Sequence, residues 1–233
     1  VISAKEAPQF SALVKAGKLP PVNERLPEIP LMLPVVDEIG QYGGILRRAF
    51  LGPGDHNNYT RAVYDALVRF APDGSQVVPH IASGWESNEN FTEWIVRLRP
   101  GAKWSDGQPF TADDIMFWAE DLVGNKEYGL KYAPSDKFQA AGKVFKATKI
   151  DDYTVKLTFA RSYGIFPLML CIGESGQEPH RYPKHILSKY HPRYNKTNLD
   201  QLVKEAGVST WPELMGIKGG YYNSHGSTAD PRY

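Results

Sequence analysis

The stretch from Glu93 to Val123 constrains this chain more than any other. Trp94, Val96 and Leu98 alternate with Glu93, Ile95 and Arg97, the pattern of a strand with one buried face. Trp85 to Phe91 before it reads as the loop of a hairpin. Pro100-Gly101 and Asp106-Gly107 are turn dipeptides flanking a short piece around Trp104, and they deliver the chain to a helix at Thr111. That start is doubly marked, because Thr111 and Asp114 have capping-box spacing and Phe110 can staple to Ile115. Ile115, Trp118, Ala119 and Leu122 then form one apolar face. After the Asp151-Asp152 turn, Tyr153, Val155, Leu157 and Phe159 alternate with Thr154, Lys156 and Thr158 as a second one-faced strand. Strands bracket a helix without a strict βαβ rhythm, so the expected class is mixed α/β of the α+β kind.

Outside this stretch the signals are more local. Phe10, Leu13 and Val14 predict a helix over Ala4 to Lys15, ended by Gly17. Pro20, Pro21, Pro27, Pro30 and Pro34 remove donors and pin backbone angles, so this segment runs extended, as a strap. Ile45 to Phe50 reads as a strand, followed by the polar loop Gly52 to Asn58. Val63, Leu67 and Phe70 predict a helix over Tyr59 to Phe70. Beyond Pro167, helices are expected at Ile186 to Tyr190, at Leu199 to Ala206 closed by Gly207, and near Trp211 to Met215. Tyr221 to Tyr233 shows no periodicity.

Composition removes several function classes. Lys and Arg total 27 against 26 for Asp and Glu, a net charge of +1, which gives no reason to expect nucleic acid as a partner. The longest apolar run, Ile165 to Ile172, is broken by Pro167 and falls far short of the roughly 20 residues of a membrane helix. A chain that opens at Val1 fits a signal peptide already removed. The single Cys171 excludes an internal disulfide, and its apolar setting predicts an inert thiol. None of the six histidines, at 56, 80, 180, 185, 191 and 225, lies three or four residues from another, so neither a metal site nor a cofactor is expected. Gly173-Glu174-Ser175-Gly176 lacks the residue between Ser and the second Gly that a nucleophile elbow needs. Gly40 to Gly44 has no following Lys-Ser or Lys-Thr and is no phosphate loop. Asp113 and Asp114 are explained by capping and the helix dipole rather than as an acid–base pair. Trp85, Trp94, Trp104 and Trp118 fall on predicted elements, whereas Trp211, Tyr221 and Tyr222 lie near predicted loops and are candidate ligand contacts.

The run LRPGAKWSDGQPFTADDIMFWAEDLV, Leu98 to Val123, resembles the signature of the oligopeptide and dipeptide class of solute-binding proteins of ABC transporters. YDALVRFAPDGSQVVPHIASGWE before it, and IDDYTVKLTFA and YPKHILSKYHPRY after it, resemble the same family in the same order. The strap ERLPEIP and YGGILRRA look like a subgroup whose ligands include peptides, oligosaccharides and opine-like compounds. The resemblance implies the first lobe of a two-lobe periplasmic-binding-protein fold with an inserted α+β subdomain, the second lobe being absent. Residues 1–54 would begin the first lobe, 55–161 form the insertion, and 162–233 return to the lobe. The WSDG run would then be structural. The resemblance places the cleft at the loop Asp55, His56, Asn57 and Asn58, with the turn at Glu174 and Ser175 as a second candidate.

The resulting expectation is a monomeric receptor, not an enzyme, that holds a peptide or similar solute in an interlobe cleft and delivers it to a membrane permease. Its location would be periplasmic or extracellular, with or without a lipid anchor. Several strands of such a lobe come late in the family's chains, so this sequence is also expected to expose strand edges. Two other classes compete: a hydrolase using Asp55, His56 and Glu174 together, and a free-standing interaction module with an aromatic, strap-bearing surface.

Overall fold

Strand β4 (Glu93–Leu98) is the axis of the molecule. In this computed structural model, residues 6–35, 37–49, 51–52, 65–133, 135–172 and 178–219 are described. β4 pairs on one side with β3 (Ala82–Ser87) and on the other with β8 (Thr154–Thr158), which in turn pairs with β7 (Lys146–Asp151), giving an antiparallel sheet of order β3-β4-β8-β7. The register sets Trp94 opposite Leu157 and Val96 opposite Val155, and these four side chains are buried together with Leu98. One face of the sheet is therefore the core face, as the alternation predicts. The hairpin loop over 88–92 is closed by Asn88, whose Oδ1 accepts from the amides of Thr92 (2.9 Å) and Glu93 (3.1 Å).

The helix after the WSDG turn covers that face. α3 (Ala112–Met116) begins with a capping box: the Thr111 hydroxyl accepts from the Asp113 amide at 3.3 Å, and Asp114 Oδ2 accepts from the Thr111 amide at 3.0 Å. Phe110 and Ile115 are both buried, as a staple requires. The helix then widens into a π-helical run, Phe117–Val123. This widening ends at Gly124, where a Cβ would sit 3.0 Å from the Ala119 carbonyl oxygen. Trp118 is buried from this run, stacked on Phe145 (5.3 Å) and edge-on to Phe138 (4.9 Å). α4 (Lys126–Lys131) follows, capped by Asn125. A one-turn 3-10 helix, Asp136–Phe138, and the paired β5 (Gln139–Ala140) and β6 (Lys143–Val144) lead into β7.

The remaining elements close around this core. β1 (Val68–Phe70) and β2 (Val77–Pro79) form a two-stranded ribbon. Val68 to Phe70 was expected to end a helix; pairing with Val77 to Pro79 overrides the 3.6-residue pattern there, and residues 59–64 lie outside the described residues. After residue 161 come α5 (Phe166–Cys171), α6 (Lys184–Leu187) with a 3-10 turn Ser188–Tyr190, α7 (Leu199–Glu205) and α8 (Trp211–Lys218). They share one hydrophobic core with the sheet, running in sequence from Leu67 to Met215. Phe166 packs on Trp94 (5.8 Å) and on Phe159 (5.3 Å).

The N-terminal part is built differently. α1 (Pro8–Lys15) is followed by α2 (Val22–Arg25), a single turn inside the segment expected to run extended: Pro20 and Pro21 lie just before it, where a missing N–H costs nothing, and the chain is extended only from Leu26. The expected strand at Ile45 to Phe50 does not form over its described residues, and Ile45 and Leu46 are 78% and 76% exposed. No neighbouring strand lies beside it among the described residues, and a strand is held by its ladder partner rather than by its own sequence.

Candidate functional site

The strap lies across the turn at Pro100-Gly101 and encloses a cleft of about 430 Å³. The strap offers mostly backbone groups, and the side chains of Arg99 and Lys103 reach them. The Glu28 amide donates to the Pro100 carbonyl at 3.0 Å, Arg99 donates to the carbonyls of His80 (2.6 Å) and Ile29 (3.1 Å), and Lys103 Nζ donates to the Glu24 carbonyl. Gly101, at φ +78°, makes this approach feasible, since a Cβ there would stand 3.0 Å from the Glu28 nitrogen in a backbone region that side chains disfavour. Leu26, Leu31, Ile81, Trp104 and Phe110 give the cleft apolar walls, and Asp65, His80 and His180 a polar end.

At that polar end, His180 Nε2 donates to the Asp65 carbonyl at 2.8 Å, and His80 Nε2 stands 3.6 Å from Asp65 Oδ1. Both Nδ1 atoms are buried without a hydrogen-bond partner among the described residues. Burial pushes the His180 pKa down to about 4, and burial together with Arg69 also lowers that of His80. Neutral imidazoles are thus the folded form.

The WSDG turn on the other side of Trp104 is tied down within the protein. Asp106 accepts from the Gln108 amide at 3.0 Å and from His185 Nε2 at 2.8 Å, and the bond from His185 holds its carboxyl below the usual range. Asp114 accepts from the Lys184 amide at 2.9 Å as well as from Thr111; burial nevertheless raises its pKa. Asp113 pairs with Lys149 at 3.0 Å. These carboxylates hold a turn, a helix start and α6 together.

The expected site residues fare unequally. Asp55, His56, Asn57, Asn58, Glu174, Ser175, Tyr221 and Tyr222 lie outside the described residues. Trp211 is placed differently from a ring near a loop: it is the first residue of α8, only 6% exposed, stacked on Tyr128 (5.8 Å) and edge-on to His191 (4.6 Å). The Cys171 thiol, half-buried, is pushed up to about 11 by burial. Among the described residues no group of three or more His, Cys, Asp or Glu could hold a metal ion, and no helix is long and apolar enough to cross a membrane.

Sequence reasoning missed the buried polar groups. Asp121, on the π-helical run, accepts from Arg193 (2.9 Å) and from the Tyr194 hydroxyl (2.6 Å), while its carbonyl accepts from His191 Nε2 (3.0 Å). Glu178 is buried beside a cavity of about 240 Å³ lined by Trp118, Tyr128, Tyr132 and Tyr182. Tyrosines at 128 and 132 do sit one helical turn apart, a signal that could have marked a shared ring face.

With this geometry in hand, the comparisons define the class: the chain belongs to the bacterial extracellular solute-binding proteins, family 5, whose Middle model matches residues 76–208. The periplasmic alpha-galactoside-binding protein of Rhizobium meliloti is 33% identical over 219 residues, covering 81% of this chain and 29% of that protein. Among solved structures, an oligopeptide-binding protein OppA is similar with a TM-score of 0.78 and 37% identity, over 92% of this chain and 32% of the other. The binding protein MelB of Agrobacterium fabrum C58, in complex with stachyose, gives a TM-score of 0.57 and 30% identity, over 86% and 33%. The chain therefore spans about a third of the length of these relatives, consistent with a partial lobe of their mixed α/β fold. All three are named as binding proteins rather than enzymes.

Proposed function

We propose that this chain is part of the solute receptor of an ABC importer, acting in the periplasm or outside the cell and passing its solute to a membrane permease. The match of residues 76–208 to the solute-binding family carries this reading. The solute is a peptide, in keeping with the likeness to an oligopeptide-binding protein. A second reading, an oligosaccharide, is favoured by the α-galactoside-binding relative and the stachyose complex. In both readings 1–54, 55–161 and 162–233 are the start of a lobe, its insertion and the return. Asp55 to Asn58, Glu174, Ser175, Tyr221 and Tyr222 are the proposed solute contacts. The receptor acts as a monomer, and its precursor carries an export signal with or without a lipid anchor.

Native mass spectrometry of the receptor purified from its source tests this reading, by showing whether a peptide or a hexose oligomer co-purifies. A bound solute released on unfolding is the expected result. In the same receptor, His56→Ala and Asn57→Ala should weaken solute binding about tenfold or more with the melting temperature unchanged. A receptor that binds neither peptides nor oligosaccharides in titration calorimetry would overturn the proposal.

A further inference from the structure

Charge is not spread evenly over this chain. The run 182–196, YPKHILSKYHPRYNK, holds Lys184, Lys189, Arg193 and Lys196 without one Asp or Glu. Two of these cations are answered inside the fold: Arg193 pairs with Asp121 at 2.9 Å, and Lys184 stands 3.9 Å from Asp113. Lys189 and Lys196 are exposed and form no ion pair among the described residues. The side chain of Asn195 donates to the Lys189 carbonyl at 2.7 Å, which holds the backbone at Lys196 beside that turn. Lys218, the last residue of α8, joins them from another element. Its ammonium lies 5.9 Å from the centroid of the Tyr190 ring, and that of Lys189 lies 5.0 Å from the same centroid. Lys218 has no ion pair among the described residues either.

The residues outside the described ones add no net charge, since their Asp55, Glu174 and Asp230 are matched by Lys5, Arg61 and Arg232. From 178 to 219 there are seven bases against four acids, while the whole chain carries only +1, so this end is positive and the remainder negative. Two ammonium groups drawn to one ring repel each other, and an anion set between them satisfies both. Lysines around a tyrosine ring are also the composition of surfaces that meet lipid headgroups, the ring sitting at the interface while the ammonium groups reach the phosphates. We propose that the face around Tyr190, carrying Lys189, Lys196 and Lys218, docks on the anionic phospholipid headgroups of the bilayer that holds the permease. The choice of a bilayer as partner rests on the receptor reading given above. Each lysine at an anionic surface tightens binding about fivefold, so the three together give roughly a hundredfold over a neutral bilayer. Such binding is weak and reversible, as suits a protein that moves between solution and its permease.

The test is co-sedimentation of the 233-residue chain with vesicles of phosphatidylcholine alone and of equal parts phosphatidylcholine and phosphatidylglycerol. Binding to the anionic vesicles, at least tenfold tighter than to the neutral ones at ~50 mM salt and lost at ~500 mM, is expected. Replacing both Lys189→Gln and Lys218→Gln should weaken it about twentyfold, and Lys196→Gln alone about fivefold. Lys143→Gln with Lys146→Gln removes the same charge from exposed positions on the sheet side and should change binding less than about twofold. Circular dichroism checks each fold, and the Lys196 variant stands by itself if the double one is lost. Equal binding to both vesicles, or equal weakening by the two double variants, would overturn the proposal. Poly-glutamate that binds more tightly than the anionic vesicles would assign the face to an acidic protein and overturn it as well. Vesicle binding needs no solute and solute co-purification needs no vesicle, so this inference and the receptor reading fail separately.

Discussion

Two regions of this protein have similar side chains and opposite fates. In the sheet β3-β4-β8-β7, Val96 and Val155 face each other at 6% and 1% exposure. In the segment from Ile29 to Leu51, Ile29, Leu33, Ile39, Ile45 and Leu46 are all at least 70% exposed. Both regions are apolar, and Ile45-Leu46 has the β-branched and aliphatic composition of a strand. The difference is a partner: β4 has a strand on each side and a helix over one face, whereas the segment from Ile29 to Leu51 has no ladder among the described residues. Apolar sequence creates a demand for burial, and only neighbours in space satisfy it.

The largest effects should therefore come from cavities in the sheet region. Leu157→Ala, beneath Trp94, and Phe138→Ala, against Trp118, should each cost about 3–5 kcal/mol. Urea denaturation should show this as a lower midpoint at unchanged slope. If either cost less than about 1 kcal/mol, the two regions would not differ as described.

Next is the seam where the regions meet. Gly101→Ala puts a Cβ 3.0 Å from the Glu28 nitrogen at φ +78°. The left-handed backbone alone disfavours it by about 1–2 kcal/mol. The strap should loosen while the sheet persists: hydrogen exchange should speed up at the Glu28 amide and stay slow at Val96 and Val155. Equal acceleration at both would show that strap and sheet open as one unit.

Acid should act on the same seam. His180 folds as a neutral ring with a pKa of about 4, below the ordinary 6.5, and His80 and His191 are also lowered by burial. Between these values the unfolded chain binds more protons than the folded one, so stability falls as pH drops from about 6.5 toward 4. A protonated His180 would carry a second N–H at a buried Nδ1 with no acceptor among the described residues, beside Arg181. Melting temperature followed from pH 7 to 4.5 should decline, and His180→Asn should flatten the decline. An acid limb unchanged in that variant would assign it to other groups.

These contrasts also explain how much was legible in the sequence. The strand at Glu93 to Leu98, the β8 strand and the Thr111–Asp114 cap were readable because each signal is local and agrees with its surroundings. Val68 to Phe70 was misread as helix because Leu67 and Phe70 fit a helical period; only Val77 to Pro79, across a turn, makes them a strand. Ile45 to Phe50 failed the other way, having strand composition without a described partner. The proposed contacts at Asp55 to Asn58 rest on family resemblance, since polar loops carry no periodicity, and those at Tyr221 and Tyr222 rest only on aromatic rings near predicted loops. The aromatic cavity was hidden because Glu178 is brought to Tyr128 and Tyr132 by tertiary packing alone.

The smallest stability effect should fall on the exposed segment that holds Ile45 and Leu46, and it gives the sharpest form of the comparison. Replacing Ile45 and Leu46 by Ser removes two large apolar side chains, as much carbon as a costly core truncation would. Because they are already 78% and 76% exposed, almost no burial is lost, and the midpoint of urea unfolding should move by less than about 0.5 kcal/mol. Solution behaviour should change instead. An exposed apolar segment is a template for pairing with another chain, so the double variant should stay monodisperse at concentrations where the parent self-associates. Analytical ultracentrifugation reads that difference. A destabilisation of 2 kcal/mol or more would mean that this segment packs in solution, and the contrast between the two regions would collapse.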